Sequence, residues 1–339
     1  MSKLIDNFGR EISYLRVSIT DRCNYRCIYC RSENEFEFIP HQEILRFEEI
    51  VEIVQEAVNL GITKVRITGG EPLVRKGIVN FIKQLRKIDR LEDISLTTNA
   101  FFLSEYAEKL KDAGLNRVNI SLDSLQEEKY KKITRGGSLE KALKGIDYAL
   151  KAGLLPIKIN TVLIRGINDD EVEDFVRLVL ERPLNIRFIE FMPSGEEIIS
   201  EFENKFISVQ GIKEKLIKKY LLTPVKISTA NGPAKYYQIK GGQGTIGFIT
   251  ALSQHFCKTC NRIRLTSEGK LRPCLFSNKE IDIKKAIREL ARDDKNEGFL
   301  RKKIIRDKLK EAVKLKPEGH KLNIKNQKNI SFQMSRIGG

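Results

Sequence analysis

Tyr14-Leu15-Arg16-Val17-Ser18-Ile19-Thr20-Asp21-Arg22-Cys23-Asn24-Tyr25-Arg26-Cys27-Ile28-Tyr29-Cys30 carries the reading on which the fold turns. Its first half, Tyr14 to Thr20, alternates apolar and polar residues as a strand does. Its second half sets three cysteines within eight residues, spaced C-x3-C-x2-C. A strand therefore runs directly into one tight loop that aims three sulfurs inward. A cuboidal 4Fe–4S cluster normally takes four thiolates. Three clustered thiolates hold three irons and leave the fourth open, and an open metal position marks a site that does chemistry. A structural zinc site completed by a histidine such as His41 is the other reading of this spacing.

Outward from this loop, strand and helix patterns alternate. Strand-like runs recur at Lys64–Thr68, Asp93–Thr98, Arg117–Asp123, Ile157–Ile164 and Ile186–Met192. Helical runs lie between them, at Phe47–Leu60, Gly77–Lys87, Ser104–Ala113, Leu139–Ala152 and Asp169–Glu181; in the first, Ile50, Val51, Val54, Ala57 and Val58 share one face. Such alternation predicts a parallel sheet with right-handed crossovers. Six strand–helix units fall short of the eight of a closed barrel. The expected fold is an α/β three-quarter barrel over residues 1–193. Residues 194–339 form a C-terminal region that closes the barrel's open side. Within that region a hairpin is expected from Tyr236–Ile239 and Thr245–Ile249, a Lys-rich helix near Ile212–Leu221, and a basic helical stretch over 279–315.

The strands share an oddity. On one parity sit Arg16, Ser18 and Thr20; Arg66 and Thr68; Asn119 and Ser121; Lys158 and Asn160. The opposite parity is apolar: Leu15, Val17 and Ile19; Val65 and Ile67; Val118 and Ile120; Ile157 and Ile159. Side chains alternate faces along a strand. The apolar set packs on helices, and the polar set lines the interior. Several interior cations call for an anionic ligand, because buried unpaired charge is very costly. Pairing with loop carboxylates is the plainer alternative.

Lys and Arg number 61 against 45 Asp and Glu, a net charge of +16. This excess attracts polyanions: nucleic acid, anionic membrane or nucleotides. No apolar run approaches the roughly 20 residues of a membrane helix, and the N-terminus lacks a signal-peptide core, so a cytoplasmic protein is expected. The six cysteines form two distant triplets with none left over, which reads as two metal sites rather than a disulfide framework.

The second triplet is Cys257-x2-Cys260-x13-Cys274. With His255 beside it, a three-cysteine, one-histidine zinc site remains open on spacing alone. Arg262 and Arg264 follow at once, and a guanidinium matches phosphate oxygens with a rigid donor fork. The sequence closes on Gly338-Gly339, slim enough to thread into a crowded site.

The cysteine loop together with Gly69-Gly70-Glu71-Pro72 resembles the radical S-adenosylmethionine (SAM) enzymes. That resemblance implies an open iron chelating the methionine half of SAM, the Gly70 backbone at its amino group, and Tyr29 near its adenine. Over essentially its whole length the chain resembles the GTP 3′,8-cyclases of molybdenum-cofactor biosynthesis. The matching features include Thr20-Asp21-Arg22-Cys23-Asn24, Thr68-Gly69-Gly70-Glu71-Pro72-Leu73, Ser121-Leu122-Asp123, the late triplet and its Arg-x-Arg. The resemblance implies two 4Fe–4S clusters, on Cys23, Cys27 and Cys30 and on Cys257, Cys260 and Cys274. It implies SAM contacts from Tyr29, Gly70, Ser121 and Met192. It implies GTP contacts from Arg16, Arg66, Thr97, Lys158, Arg187, Arg262 and Arg264, with Arg262, Arg264, Gly338 and Gly339 close to the chemistry. The implied reaction begins with hydrogen abstraction from ribose C3′ by a 5′-deoxyadenosyl radical. It ends in (8S)-3′,8-cyclo-7,8-dihydroguanosine 5′-triphosphate, passed to the cyclic pyranopterin monophosphate synthase. A one-electron reductant is required; neither nucleic acid nor membrane takes part, and the chain is a monomer or a homodimer. Two departures stand out: Arg31-Ser32 where the family usually has Met-Pro, and Ala100 where it usually has Gly. The alternatives are a peptide-modifying radical SAM enzyme, and a zinc-stabilised basic nucleic-acid-binding protein. No nucleic-acid module with interleaved aromatics is recognisable.

Overall fold

The alternating runs form β1 (Tyr14–Ser18), β2 (Lys64–Thr68), β3 (Asp93–Thr98), β4 (Arg117–Ser121), β5 (Lys158–Leu163) and β6 (Asn185–Glu190). They lie side by side in chain order and all run parallel. The structure, a computed structural model, describes residues 3–30, 37–192, 202–227, 232–289, 297–320, 322 and 334–338. The connecting helices are α1 (Phe47–Asn59), α2 (Ile78–Arg86), α3 (Leu103–Asp112), α4 (Glu127–Thr134), α5 (Leu139–Lys151) and α6 (Val172–Glu181). Each buries one apolar stripe; in α1 it is Ile50, Ile53, Val54, Ala57 and Val58. The stripes meet the apolar strand parity, Leu15, Val17, Val65, Ile67, Val118, Ile120 and Ile159, in one continuous core. Each fully buried Leu, Ile or Val contributes about 1.5–3 kcal/mol.

Two features exceed the sequence reading. Helix α4 is an additional helix between β4 and the expected α5, over residues where no helix is expected. Its sequence, Glu-Glu-Lys-Tyr-Lys-Lys-Ile-Thr, buries only Tyr130, Ile133 and Thr134, too narrow a stripe to register as amphipathic. Among the described residues the sheet also has twelve strands, beyond the six of the barrel and the two of the expected hairpin. The expected hairpin is present as β8 (Lys235–Ile239) and β9 (Thr245–Ile249), preceded by β7 (Leu222–Val225). Strand β9 pairs parallel with β6. At the opposite edge, β10 (Arg262–Leu265) pairs parallel with β1, followed by antiparallel β11 (Lys270–Arg272) and β12 (Ile281–Asp282). The C-terminal region thus lengthens both edges of the six-stranded partial barrel. Helices among its described residues include Val209–Lys219, Ile283–Arg288, Glu297–Lys314 and Met334–Ile337. No helix among the described residues is long and apolar enough to cross a membrane.

Ala100 takes a left-handed backbone, φ +64°, which costs a non-glycine residue about 1–2 kcal/mol. This is the position where glycine is usual in the family that the sequence resembles. Gly145 of α5 makes room for it: a Cβ there would lie 3.1 Å from that of Ala100.

Candidate active site

Helix α4 explains how the cysteine loop is held. The last carbonyls of a helix have no partner within it, and two of them face the loop. Arg26 N–H donates to the Thr134 carbonyl at 3.1 Å, and Ile28 N–H to the Ile133 carbonyl at 2.9 Å. Tyr25 is buried edge-on against Phe101 and Tyr130, with ring centroids 5.9 and 6.2 Å away. Cys23, Cys27 and Cys30 are not joined in disulfides, and all are partly buried. Cys23 Sγ accepts from the Tyr25 amide at 3.4 Å and from Asn99 Nδ2 at 3.9 Å. Burial, followed by Cys30, Asp123 and Cys23 nearby, holds the Cys27 thiol well above its ordinary range. Three such thiolates become stable together only around cations, so the donor set fits a metal cluster.

The second strand's loop is pressed against the first. A Cβ on Gly69 would lie 2.4 Å from the Thr20 carbonyl oxygen, and one on Gly70 2.2 Å from that of Arg22. The Gly70 and Glu71 amides donate to these same carbonyls at 2.7 and 2.8 Å. The Glu71 carboxylate accepts from Leu73 N–H, Thr98 Oγ1 and Asn99 N–H at 3.0, 2.8 and 2.7 Å. Burial pushes it up to about 7. Tyr29 donates its hydroxyl to Asp123 at 2.5 Å, and Asp123 also accepts from Val162 N–H at 2.8 Å. Ser121 ends β4 and Met192 follows β6, so both stand at the carboxyl ends of barrel strands, where barrel enzymes keep their chemistry.

The polar strand parity faces the interior. Arg264, Arg16 and Arg66 are register neighbours on β10, β1 and β2, with Ser95 next on β3. One cavity is lined by Arg16, Arg66, Lys158, Arg187, Arg262 and Arg264 together with all three cysteines of the second triplet. Arg117 and Lys64 line it as well. Among the described residues, Asp93 pairs with Arg117, while Arg187 donates to the neutral Asn119 Oδ1 at 3.0 Å. Among the described residues, Arg66 Nε, Arg187 Nε and Thr97 Oγ1 are buried without a hydrogen-bond partner. Burial, then Arg187, Arg117 and Arg66, pull the Lys158 ammonium down to about 6. Burial and Arg262 lower Arg264 to about 9. An interior with orphaned donors and suppressed cations suits a ligand of several negative charges.

The second triplet adjoins this cavity. Cys260 N–H donates to the Cys257 carbonyl at 3.1 Å, the same turn that Cys30 and Cys27 make at 2.9 Å. Burial raises the Cys260 thiol, but Arg262 and Lys316 outweigh it and bring it down to about 6. That thiolate-forming environment fits metal binding. Arg10 ties the group to the N-terminal lead-in. It donates to the Cys257, Glu318 and Pro317 carbonyls at 2.7, 2.8 and 2.5 Å, and pairs with Asp6 at 2.6 Å. His255, Cys257 and His320 bring their ligand atoms within 4.8 Å of one another. Burial and His255 lower His320 to about 4, so its ring is neutral and able to ligate. The tail arrives here too: Arg264 Nη1 donates to the Gly338 carbonyl. Gly338 has φ +68°, and a Cβ on it would lie 2.2 Å from Thr68 Cγ2. Gly339 lies outside the described residues.

The sequence reading misses several residues of this site. Arg117 and Lys64 share the parity of Arg66 and were within its reach. Asp123 enters the sequence reading only within Ser121-Leu122-Asp123, and Asn99, next to Thr98 at the end of β3, does not enter it. His320 and Lys316 lie in a stretch without periodicity and carried no signal.

Residues 17–179 match the Radical SAM superfamily, and residues 184–322 match Molybdenum Cofactor Synthesis C. The chain is 51% identical over 336 residues to the GTP 3′,8-cyclase of Petrotoga mobilis, covering 99% of this chain and 100% of that one. It is 48% identical to the GTP 3′,8-cyclase of Alkaliphilus oremlandii, over 98% and 99% of the two chains. Streptococcus suis SuiB bound to S-adenosylmethionine shares the fold, with a TM-score of 0.57 at 13% identity over 87% of this chain and 67% of that one. So does anSMEcpe with bound AdoMet, with a TM-score of 0.53 at 14% identity over 85% and 82%. Identity of this order along nearly the full length decides the matter: the chain belongs to the GTP 3′,8-cyclase family of the radical SAM superfamily.

Proposed function

We infer that the chain is a radical SAM enzyme converting GTP to (8S)-3′,8-cyclo-7,8-dihydroguanosine 5′-triphosphate, an early step of molybdopterin biosynthesis. The observation that carries this reading is the single cavity in which interior cations and the second cysteine triplet meet. It is what a nucleotide with a charged tail and a base to be ligated requires.

Cys23, Cys27 and Cys30 hold one cluster, and Cys257, Cys260 and Cys274 the other. When bound, the first cluster would supply the electron and SAM the 5′-deoxyadenosyl group for hydrogen abstraction at ribose C3′, and the second cluster would supply a Lewis-acidic site for guanine. Tyr29, Gly70, Ser121 and Met192 orient SAM. The Gly70 amide is already committed to Thr20, so its carbonyl is the group left to meet an amino donor. Arg16, Arg66, Lys158, Arg187 and Thr97 fix the triphosphate, and this positioning is a large share of what a protein contributes to such a reaction. Arg262 and Arg264 line the cavity beside the second triplet, with Gly338 against Arg264, and the reading assigns Gly339 to the same chemistry. The same reading assigns residues 1–193 to the radical-generating barrel and 194–339 to the region that closes it. It places the reaction in the cytoplasm, with a one-electron reductant upstream and the cyclic pyranopterin monophosphate synthase downstream. The chain works as a monomer or homodimer.

Anaerobic incubation with GTP, SAM and dithionite is expected to give 5′-deoxyadenosine and the cyclised nucleotide. Arg262→Ala and Arg264→Ala are expected to lower cyclisation by about 100-fold or more while weakening SAM cleavage less. Normal product formation by either variant refutes their role. Zinc on His255, Cys257 and His320 is the second reading, favoured by the closeness of their ligand atoms. Anaerobic metal analysis separates the two: about eight irons per chain supports the enzyme, and zinc without iron refutes it.

A further inference from the structure

Lys316 follows the helix Glu297–Lys314 and turns inward beside the second triplet. It is 4% exposed. Its Nζ donates to the Arg262 carbonyl at 2.8 Å and to the Pro273 carbonyl at 3.0 Å, and lies 3.6 Å from Cys260 Sγ. One ammonium therefore links the segment carrying Cys260 to the segment carrying Cys274.

A buried ammonium is expensive unless a negative charge meets it. The described partners of Lys316 are two carbonyls and one sulfur, and none is a carboxylate. The described group beside Lys316 that carries negative charge once it ligates a metal is the Cys260 sulfur. Two carbonyls would suffice for a lysine that only cross-linked the backbone; the sulfur contact has no purpose in that role. Positive charge and hydrogen bonds at the ligand sulfurs stabilise the more negative, reduced form of a cluster and raise its potential.

We propose that Lys316 is a positioning residue of the second cluster: its ammonium clamps the two cysteine segments and donates to Cys260 Sγ, retaining the cluster and raising its reduction potential. The proposal rests on the cluster reading of Cys257, Cys260 and Cys274. It concerns how the cluster is held and poised, not which substrate it meets.

The test uses the full chain with Cys23→Ala, Cys27→Ala and Cys30→Ala, so that any iron belongs to the second triplet. With Lys316 in place this chain is expected to hold about four irons and to show a reducible cluster by electron paramagnetic resonance. An iron-free chain refutes the cluster reading and the proposal together. Lys316→Gln, which keeps a donor but no charge, is expected to shift the midpoint to more negative potential or to lose iron. Lys316→Arg is expected to restore part of either effect. Unchanged iron with an unchanged midpoint in Lys316→Gln overturns the proposal and leaves the cluster reading intact. The metal-free chains are melted alongside. A Lys316→Gln chain whose metal-free melting temperature falls as far as its loaded one has lost packing, and that outcome also overturns the proposal.

Discussion

Lys158 occupies a position where its own charge is disfavoured. Burial and three neighbouring arginines hold it down at about 6, far below the ordinary value of roughly 10.4. In the free chain above that pH the neutral amine predominates. A polyphosphate reverses the balance by rewarding the ammonium. GTP binding at pH 8 is therefore expected to take up as much as about one proton. Calorimetry in two buffers of different ionisation enthalpy reads this directly. The uptake should shrink in Lys158→Met, and its absence in the parent chain would count against a triphosphate at Lys158. The linkage also has a stability sign. Between about 6 and the ordinary lysine range the unfolded chain binds a proton that the folded chain does not, so stability of the free chain rises with pH across that window. Arg16, Arg66 and Lys158 were legible in the sequence because strand alternation sorts side chains by face without any knowledge of the fold. Lys316 and His320 were not, since their meaning comes from groups distant in sequence: Lys316 donates to Arg262 and Pro273, and the His320 ring lies 3.9 Å from that of His255, tilted by 42°.

Helix α4 acts as a brace for the loop that generates the radical, and the brace depends on one side chain. Tyr130 is fully buried and packs edge-on against Tyr25 within the cysteine loop. Tyr130→Ala is expected to cost about 3–5 kcal/mol, read from denaturant unfolding. Iron analysis of the same variant should show loss from the Cys23 triplet while the Cys257 triplet stays loaded. Equal loss from both would mean that α4 supports the whole chain rather than the loop. The five helices with broad apolar stripes and the six barrel strands were readable from periodicity. Helix α4 escaped because charge dominates its sequence. Strand β10 escaped because Arg262-Ile263-Arg264-Leu265 is short, and its arginines read more naturally as ligands than as a strand's inward face. They do form such an inward face, since the register sets Arg264 beside Arg16.

Across the whole molecule, the N-terminal lead-in and the second triplet form one structural unit through Arg10. Its guanidinium meets three backbone carbonyls and one carboxylate. Arg10→Met would strand Asp6 and release Cys257 and the 317–318 turn, a change expected to cost about 3–5 kcal/mol. Second-site iron should fall while first-site iron persists; retention of both at wild-type levels would refute this coupling. The pairing of β1 with β10 and of β6 with β9 also bears on how a ribosome makes this protein. Synthesis delivers β1 through β6 first, as an open sheet with two bare parallel edges, and bare edges recruit other chains. The nascent chain must carry one edge unprotected until Thr245–Ile249 emerges, and the other until Arg262–Leu265 does. At about 5–20 residues per second this leaves seconds of exposure, the interval in which a chaperone has the most to protect.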